Sequence, residues 1–399
     1  MLRRNRDFVL YQLGQLLSSV GSSFSSVAYP LLVLALTHSP ARAGIVSFAR
    51  LLPSPLFGLV AGVVADRVDR RRVMLAADAV RAIAMGALAV LIATDPVFWP
   101  IAVIAFVEGA GDVFFFTCNT GVLRAVVPPE QLPNAVSVWT ARNATVGIVG
   151  PPAGGAVFSV SRVVPFAADA ASYAVSFLSL LAMRTPFQEA RDRAPAHLRA
   201  DIAEGFRFLW RQPFLRVTSF LYAIGNITTP AYLLALIVIG RRDGLGGGVI
   251  GLLLGIFSVC ILAGSSLAPF ARRRLGIRAI VLLELYLGVA VLVFLVWPNV
   301  WVLLAALLPQ AVALPITDSV VVSARISVTP DQLLGRVEAV RALIARGTMS
   351  LGPLAAGFLL AYTSERVAVG AFAALTIALA VAGTLVPLRA PELPATTPQ

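Results

Sequence analysis

Long runs of apolar residues, separated by short polar segments, follow one another along almost the whole of the 399-residue chain. Each run is about 20 residues or longer, which is enough for an α-helix to cross ~30 Å of hydrocarbon. The pattern predicts an all-α polytopic membrane protein with about twelve transmembrane helices. The predicted spans are 9–36, 43–65, 73–93, 98–123, 135–160, 164–184, 214–240, 247–270, 279–297, 300–324, 336–362 and 366–388.

The linkers between these spans are mostly very short, so neighbouring helices are expected to run antiparallel. The exception is the polar, arginine-rich stretch 185–213. Within it, Ile202, Phe206 and Leu209 recur at helical spacing, which predicts an amphipathic helix on the membrane surface. The Pro- and Thr-rich end of the chain, 389–399, is expected to be disordered.

Composition agrees with this prediction, because 58% of the residues are hydrophobic and only 13% are charged. The net charge of +12 does not point to nucleic acid. All 32 basic residues are arginine, and most fall in short loops on one side of the predicted spans. Such a bias predicts cytoplasmic N- and C-termini in the inner (plasma) membrane. The expected partners are the lipid bilayer and a small-molecule substrate, with no nucleic acid. The two cysteines fall inside spans and are expected to pack rather than to bind a metal.

The most charged stretch, Gly62–Arg72, lies between the second and third spans and must be a turn in water. A second copy, Gly264–Arg274, keeps the glycine and the terminal arginines in the other half of the chain. In the same register, Gly150-Pro151 matches Gly352-Pro353. The pattern therefore indicates two similar halves with an even number of spans each, which makes the repeat parallel and suggests a transporter.

The repeat predicts four regions. Two six-helix bundles face each other, and the substrate is expected to bind between them near the midplane. The regions are an N-terminal bundle (1–184), a cytoplasmic linker with the amphipathic helix (185–213), a C-terminal bundle (214–388) and the tail (389–399).

These motifs resemble the major facilitator superfamily over essentially the whole chain. Gly62–Arg72 is similar to its signature between helices 2 and 3, and Gly150-Pro151 with Gly154-Gly155 is similar to the helix-5 motif of its antiporters. Further segments are similar to the efflux branch that holds macrolide and siderophore exporters. The resemblance implies a secondary active transporter that works by alternating access. It also implies a cytoplasmic gate, for which the candidates are Gly62, Asp66, Arg67, Arg70, Arg71, Asp78 and Arg81.

Polar residues concentrate in helices 1, 4, 7 and 10, whereas helices 3, 6, 9 and 12 are mostly aliphatic through their middles. Because buried polar groups need water or partners, the first set is expected to line a wet cavity and the second to face lipid. An alternative is that serines and threonines bond to their own helix or join neighbouring helices. The predicted lining residues are Gln15, Ser22, Tyr29, Asn119, Tyr222, Asn226, Gln310 and Asp318.

Glu108 and Asp112 lie deep in helix 4 and are one turn apart on a single face. Two carboxylates that close in a low dielectric resist double ionisation, so one is expected to hold a proton near neutral pH. The pair is therefore a candidate for proton coupling or for binding a cationic substrate. The alternative is a structural pair neutralised by Arg50 in helix 2 or by Arg142 in helix 5. Arg50 is equally a candidate for the partner that lets a carboxylate switch.

Several further residues are candidates for gating, bending or coupling. Asp66 is expected to accept hydrogen bonds as a cytoplasmic latch, and Gly62 to let helix 2 approach another backbone. Asp78 and Arg81 are expected to anchor the same loop. Gly150-Pro151 removes a helix-5 hydrogen bond and permits a bend, while Gly154 and Gly155 allow tight packing. In the C-terminal half, Asp318 is expected to pair with an arginine such as Arg341 or Arg346, with a coupling role left open.

Together these observations predict a proton-driven exporter of a small amphiphilic or hydrophobic compound, monomeric and without a cofactor. An importer or uniporter with the same fold is the alternative. A membrane enzyme is disfavoured because His38 and His197 lie in loops and no catalytic or nucleotide-binding motif is visible. A non-transporting scaffold is disfavoured by the predicted wet lining.

Overall fold

The computed structural model describes residue 2, residues 5–187 and residues 198–386, and this part of the chain is helical, with no β-strand. The predicted tail and residues 188–197 of the linker lie outside it. Short 3-10 segments at Pro129–Gln131 and Val289–Leu292 join neighbouring helices. The helices are α1 (Arg6–Thr37), α2 (Pro40–Leu51), α3 (Pro53–Arg67), α4 (Arg70–Thr94), α5 (Phe98–Val126), α6 (Leu132–Val160), α7 (Val164–Ala182), α8 (Leu198–Arg211), α9 (Pro213–Arg242), α10 (Gly247–Arg274), α11 (Ile277–Gly288), α12 (Val293–Val296), α13 (Val300–Val328), α14 (Asp331–Tyr362) and α15 (Glu365–Leu385).

Eleven stretches of the described residues are long and apolar enough to cross a membrane, which confirms the all-α polytopic fold. The α2–α3 pair forms one of these stretches, and α11 to α12 forms another. The remaining predicted span, 135–160, is present as α6 but is not among the eleven. Its glycines and prolines, together with Arg142 and Asn143, make it less apolar than the others. A helix, α8, lies where the linker predicts one.

Local sequence explains several helix boundaries. Ser39 accepts a hydrogen bond from the Arg42 amide at the start of α2, and Asp69 caps α4 by accepting from the Arg72 amide. The span predicted over 43–65 is interrupted at Leu52, because Pro53 lacks an N–H and favours a kink. This interruption leaves Arg50 in the last turn of α2.

The described residues group into two compact units. Unit one comprises the described residues of Met1–Ala196, with Leu233–Ile256 and Pro353–Tyr362. Within it, α1 packs against α6 and α7, and α4 packs against α5 and α7. Unit two comprises the described residues of His197–Tyr232, Phe257–Gly352 and Thr363–Gln399. Within it, α11 packs against α13 and α15. The domain limits expected from the repeat remain a prediction.

Helix α7, the sixth predicted span, has two different faces. The expectation that this helix is aliphatic through its middle and faces lipid is correct only for one of them, which exposes Val175 and Leu178. The opposite face is a buried stripe at helical spacing that includes Asp169, Tyr173 and Ser176. It lies against α1, so the polar residues of the first span find partners in the sixth.

The two repeat-related glycines, Gly62 and Gly264, have different surroundings. A Cβ at Gly264 would overlap the carbonyl oxygen of Val312 and approach Pro315, so α10 and α13 depend on a bare backbone there. A Cβ at Gly62 would meet no atom within 4 Å. The prediction that Gly62 lets helix 2 approach another backbone is therefore wrong, because none of the described residues packs against that position.

Alanine at each of these positions should give opposite results. Gly264→Ala forces two helices apart and should lower stability by about 1–3 kcal/mol, as overpacking does. Gly62→Ala adds helix propensity in open space and should leave the melting temperature unchanged or raise it slightly. Thermal unfolding of the purified protein in detergent measures both. Equal losses in the two variants would contradict the packing described above.

Candidate functional site

Glu108 and Asp112 lie one turn apart on α5, but their surroundings differ. Glu108 is completely buried, whereas 58% of the Asp112 side chain is exposed. Each carboxylate contacts a different arginine, with Arg50 beside Glu108 and Arg81 beside Asp112. The expectation that the two carboxylates compete for a single proton therefore needs correction, because each lies beside a different arginine.

Arg50 and Glu108 form a two-point ion pair inside unit one. The Arg50 Nε donates to Glu108 Oε2 at 2.7 Å, and Nη2 donates to Oε1 at 3.4 Å. The Arg50 guanidinium also lies over the Tyr29 ring, 5.9 Å from its centroid. Gly109 makes this approach possible, since a Cβ there would collide with the Arg50 carbonyl oxygen. Arg50 therefore neutralises Glu108, which is the structural alternative considered from the sequence.

Tyr173 of α7 joins the two ion pairs, and sequence reasoning missed it. Its hydroxyl donates to Glu108 Oε1 at 2.9 Å and accepts from Arg81 Nη2 at 2.8 Å. The Arg81 guanidinium carbon also lies 3.9 Å from the centroid of the Tyr173 ring. We refer to Arg50, Glu108, Tyr173, Arg81 and Asp112 as the buried charge network. The helical spacing of Asp169, Tyr173 and Ser176 in the sixth predicted span could have indicated that Tyr173 faces the interior.

Asp78 and Arg81 do not anchor the charged loop, as the sequence suggests they would. Both are buried two or more turns into α4. Arg81 Nη2 reaches Asp112 Oδ1 at 3.2 Å, while its Nη1 lies 3.6 Å from Asp78 Oδ1. Gly111 provides the space, because a Cβ there would collide with the Arg81 side chain. The pair lies away from the loop because this face of α4 packs against α5 and α7.

The predicted lining residues of unit one are engaged in bonds between helices. Gln15 Nε2 donates to Ser176 Oγ at 3.0 Å, and the Ser22 hydroxyl lies 2.8 Å from the Tyr173 hydroxyl. Tyr29 donates to the Met85 sulfur at 3.3 Å, and Asn119 accepts from Tyr11 at 2.6 Å. For these residues the alternative that polar groups join neighbouring helices describes the structure better than an open lining.

Two further polar contacts in unit one involve Asp169 and Arg142. Ser25 donates to Asp169 Oδ2 at 2.5 Å, and Asp169 is completely buried. Arg142, the other proposed neutralising partner, donates instead to Gln12 at 2.8 Å. Arg142 therefore leaves the carboxylates of α5 to Arg50 and Arg81.

In unit two, Tyr222 and Asp318 line a small cavity. The Tyr222 hydroxyl is buried and makes no hydrogen bond within the described residues. Asp318 has no ion pair there, because Glu338 contacts both Arg341, at 3.0 Å, and Arg325. Asn226 and Gln310 are half-buried and lie outside the lining. The lining residues are Thr218, Ser219, Tyr222, Asp318, Val321, Arg325, Arg341, Ile344 and Ala345.

In the charged loop, arginine rather than aspartate makes the long-range contacts. Asp66 is largely exposed and only approaches Arg70, at 3.7 Å, and Arg67 is exposed. Arg71 donates to the carbonyl oxygens of Leu180, Leu181 and Met183 at 2.6–3.1 Å, at the end of α7. The latch expected at Asp66 is therefore corrected: the loop is tied down by Arg71, whose guanidinium caps a helix C-terminus.

The glycines of the helix-5 motif, in α6, make close contacts with α1 and with α10. A Cβ at Gly150 would collide with the Ser23 side chain, and one at Gly154 would collide with Phe24 Cα. Gly155 faces the carbonyl oxygen of Gly247, so α6 and α10 touch backbone to backbone. Pro151 and Pro152 lie inside α6. A Cβ at Gly251 would collide with the Pro151 carbonyl oxygen, so this glycine belongs to the same contact between α6 and α10.

A second backbone contact joins α2 and α14 within unit one. A Cβ at Gly44 would collide with the Pro353 carbonyl oxygen and with Gly357. Arg242 Nη2 also donates to the Leu360 carbonyl at 2.7 Å. We refer to the Gly44–Gly357 and Gly155–Gly247 contacts as the glycine seam. Both lie at the helix ends opposite the charged loop.

Known proteins are similar to this chain in sequence. A family model described as transmembrane secretion effector, of the major facilitator superfamily, matches residues 3–399. The multidrug efflux pump Tap of Mycolicibacterium fortuitum is 31% identical over 51% of this chain and 52% of its own length. Macrolide efflux protein A of Streptococcus pyogenes is 28% identical over 37% of this chain and 36% of its own. The chain thus spans about half or less of the length of these curated relatives.

Solved transporters share the fold. A bacterial homologue of the iron transporter ferroportin, in an inward-facing state, matches with a TM-score of 0.78 at 17% identity, covering 96% of this chain and 99% of its own. The nucleoside transporter NupG matches with a TM-score of 0.72 at 15% identity, over 96% of this chain and 98% of its own. At these identities the likeness concerns the fold alone.

The buried charge network predicts a double-mutant cycle. Glu108→Gln should lower the free energy of unfolding by about 3–5 kcal/mol, because the largely buried Arg50 then lies between the helices without its counter-charge. Adding Arg50→Met should restore most of that loss, since it removes the orphaned charge. Thermal and denaturant unfolding in detergent measure each variant.

The matched control is Asp112→Asn, which should cost less than about 1 kcal/mol, because this carboxylate is largely exposed and Asp78 still lies beside the buried Arg81. If Glu108→Gln and Asp112→Asn cost the same, Glu108 is not the buried partner described here.

Proposed function

The chain belongs to the transmembrane secretion effector family of the major facilitator superfamily, and from this premise we propose that it is a proton-coupled antiporter that exports a small amphiphilic or hydrophobic compound. Its family and fold are those of membrane transporters. The observation that carries the proton coupling is Glu108, an acid buried among hydrocarbon-spanning helices and bonded to Arg50 and Tyr173. An ionisable group in that position is expected to serve ion coupling.

Protonation of Glu108 would convert the carboxylate to a neutral acid and remove the charge that holds Arg50. The guanidinium would keep its contact with the Tyr29 ring, which offers a weaker cation–π site. Tyr173 would transmit the change, because its hydroxyl bonds to both Glu108 and Arg81. Asp112 lies exposed at the far end of the network. It would therefore be the first carboxylate of the network to meet a proton or a cationic substrate.

Export and an amphiphilic cargo are supported by the relatives named for multidrug and macrolide efflux. An importer or uniporter of the same fold finds no support in those names. A multi-span transporter with bacterial efflux relatives resides in a cell membrane. We place its termini on the cytoplasmic side, because the arginines concentrate there, and we expect a monomer powered by the proton gradient without a cofactor.

The glycine seam supports alternating access. With cytoplasmic termini, Gly44–Gly357 and Gly155–Gly247 lie at the outer ends of their helices. Contacts between bare backbones are short-ranged, so they hold two helices together in one state and vanish after a small movement. We therefore assign the seam the role of an outer gate, closed in this conformation, which opens when the substrate leaves.

Proton coupling is tested in everted membrane vesicles, whose lumen is acidified by respiration and followed with an acridine dye. Addition of erythromycin or ethidium should release protons from the lumen through the wild-type protein. A Glu108→Gln/Asp112→Asn variant should reduce that rate at least about tenfold, because the coupling carboxylates are gone. Asp95→Asn, which changes an exposed carboxylate, should leave the rate unchanged.

A wild-type rate in the double variant would contradict coupling through these carboxylates. Faster accumulation of the probe inside intact cells on expression would favour the importer.

The outer gate is tested by hydrogen–deuterium exchange. Gly44→Ala and Gly155→Ala place a methyl group against a carbonyl oxygen and should open the seam. Exchange should then rise severalfold in peptides covering 247–256 and 353–362, because opening exposes their amides to solvent. Gly147→Ala, at a position in α6 where a Cβ meets nothing within 4 Å, is the control. Unchanged exchange in both seam variants would remove the gate assignment.

A further inference from the structure

Helix α8, in the linker, is fixed to α14 of unit two by one of its faces. Leu209 is buried in a cluster with Val337 and Val340. At Gly205, a Cβ would collide with the carbonyl oxygen of Arg336. The carboxylate of Glu204 forms an ion pair with the Arg336 guanidinium. The helix is therefore a built part of the protein, and its remaining faces are presented in a defined direction.

A second face of α8 carries an aromatic row that is not covered by the described residues. The Phe206 and Trp210 rings stack with centroids 5.6 Å apart, and the Trp210 and Phe220 rings meet edge to face at 5.7 Å. Each of the three side chains is nearly half exposed. Phe220 lies near the start of α9, a helix apolar enough to cross the membrane. The row thus runs from the linker helix onto the surface of a membrane span.

Three arginines accompany this aromatic row. The Arg216 guanidinium lies over the Trp210 ring, 5.9 Å from its centroid. Arg207 and Arg211 each follow an aromatic residue by one position, so they form a parallel row turned by about 100° around α8. Both are exposed. Within the described part of the chain, no carboxylate forms an ion pair with any of the three.

The bilayer is the occupant that fits both rows. A tryptophan next to the end of a membrane span favours the level of the lipid headgroups, and phenylalanines beside it favour the boundary with the acyl chains. Arginines beside them attract anionic headgroups, and each one strengthens association by about fivefold. Guanidinium groups also bind phosphate oxygens in a two-point manner that suits a phospholipid. A zwitterionic headgroup carries its own cation beside the phosphate, so it would supply no net counter-charge to these three arginines.

We propose that Phe206, Trp210 and Phe220, together with Arg207, Arg211 and Arg216, form a docking surface for an anionic phospholipid such as phosphatidylglycerol. The arginines contact the headgroup phosphate, and the aromatic rings contact the upper acyl chains. The occupied surface holds α8, and with it the packed part of α14, at the membrane interface. This site is independent of the cargo and of the coupling ion.

The test uses the intact protein in phosphatidylcholine vesicles that contain a fixed fraction of one brominated lipid, which quenches nearby tryptophan. The Trp210 signal is the difference between wild type and Trp210→Phe. Brominated phosphatidylglycerol should quench this signal about threefold more than brominated phosphatidylcholine. The Arg207→Gln/Arg211→Gln/Arg216→Gln variant should lose that preference, since attraction to the headgroup scales with the number of arginines.

The opposite ends of the spans supply a matched control. There the Arg42 guanidinium lies 5.3 Å from the Phe98 ring centroid, and Phe98 contacts Trp99. Arg42→Gln should leave the Trp210 preference intact. Equal quenching by the two brominated lipids in the wild type would overturn the proposal. An equal loss of preference in the Arg42 variant would also overturn it, since the attraction would then be a general property of the charged protein. The three arginines are not buried, so the variants should keep the wild-type melting temperature, which is measured alongside.

Discussion

A charge that enters hydrocarbon needs a counter-charge, and this constraint explains how the carboxylates of α5 are surrounded in unit one. Arg50 and Arg81 are both brought to α5, each beside a carboxylate, and Tyr173 bridges the two pairs. The kink before Pro53, the polar stripe of α7 and the glycines that flank Glu108 and Asp112 all serve this arrangement. A buried ion pair adds little net stability by itself. Its presence in such a place is the reason we propose that it changes its protonation state during transport.

Glycine serves two physically different purposes in this protein. On α5, Gly109 and Gly111 make room, one for the backbone of α2 and the other for a long arginine side chain. In the seam, Gly155 and Gly247 meet without any side chain between them. The first use fixes charged groups in position, whereas the second joins helices by a contact that is lost over a short distance. A transporter needs both, because binding requires fixed groups and access requires separable ones.

The spans, the repeat and the depth of Glu108 within one span follow from the sequence, since these depend on composition and on spacing along the chain. Among the partners, only Arg50 was named in advance, as one of two alternatives. Periodicity states which residues share a face, but not which helix that face meets, so Tyr173 was missed and Gln15 was expected in an open lining. The latch at Asp66 was wrong for the same reason. Nothing in the loop itself indicates that Arg71 reaches the end of α7.

That reach of Arg71 has a consequence for how the protein is made. The loop before α4 is synthesised early, and its arginines act on topology while α7 has not yet emerged. The three carbonyl oxygens that later accept hydrogen bonds from Arg71 belong to the end of α7, more than a hundred residues further along the chain. With the cytoplasmic termini that we propose, one guanidinium would orient the second and third spans first and fasten the sixth afterwards. The closing of that bond would then follow the synthesis of α7.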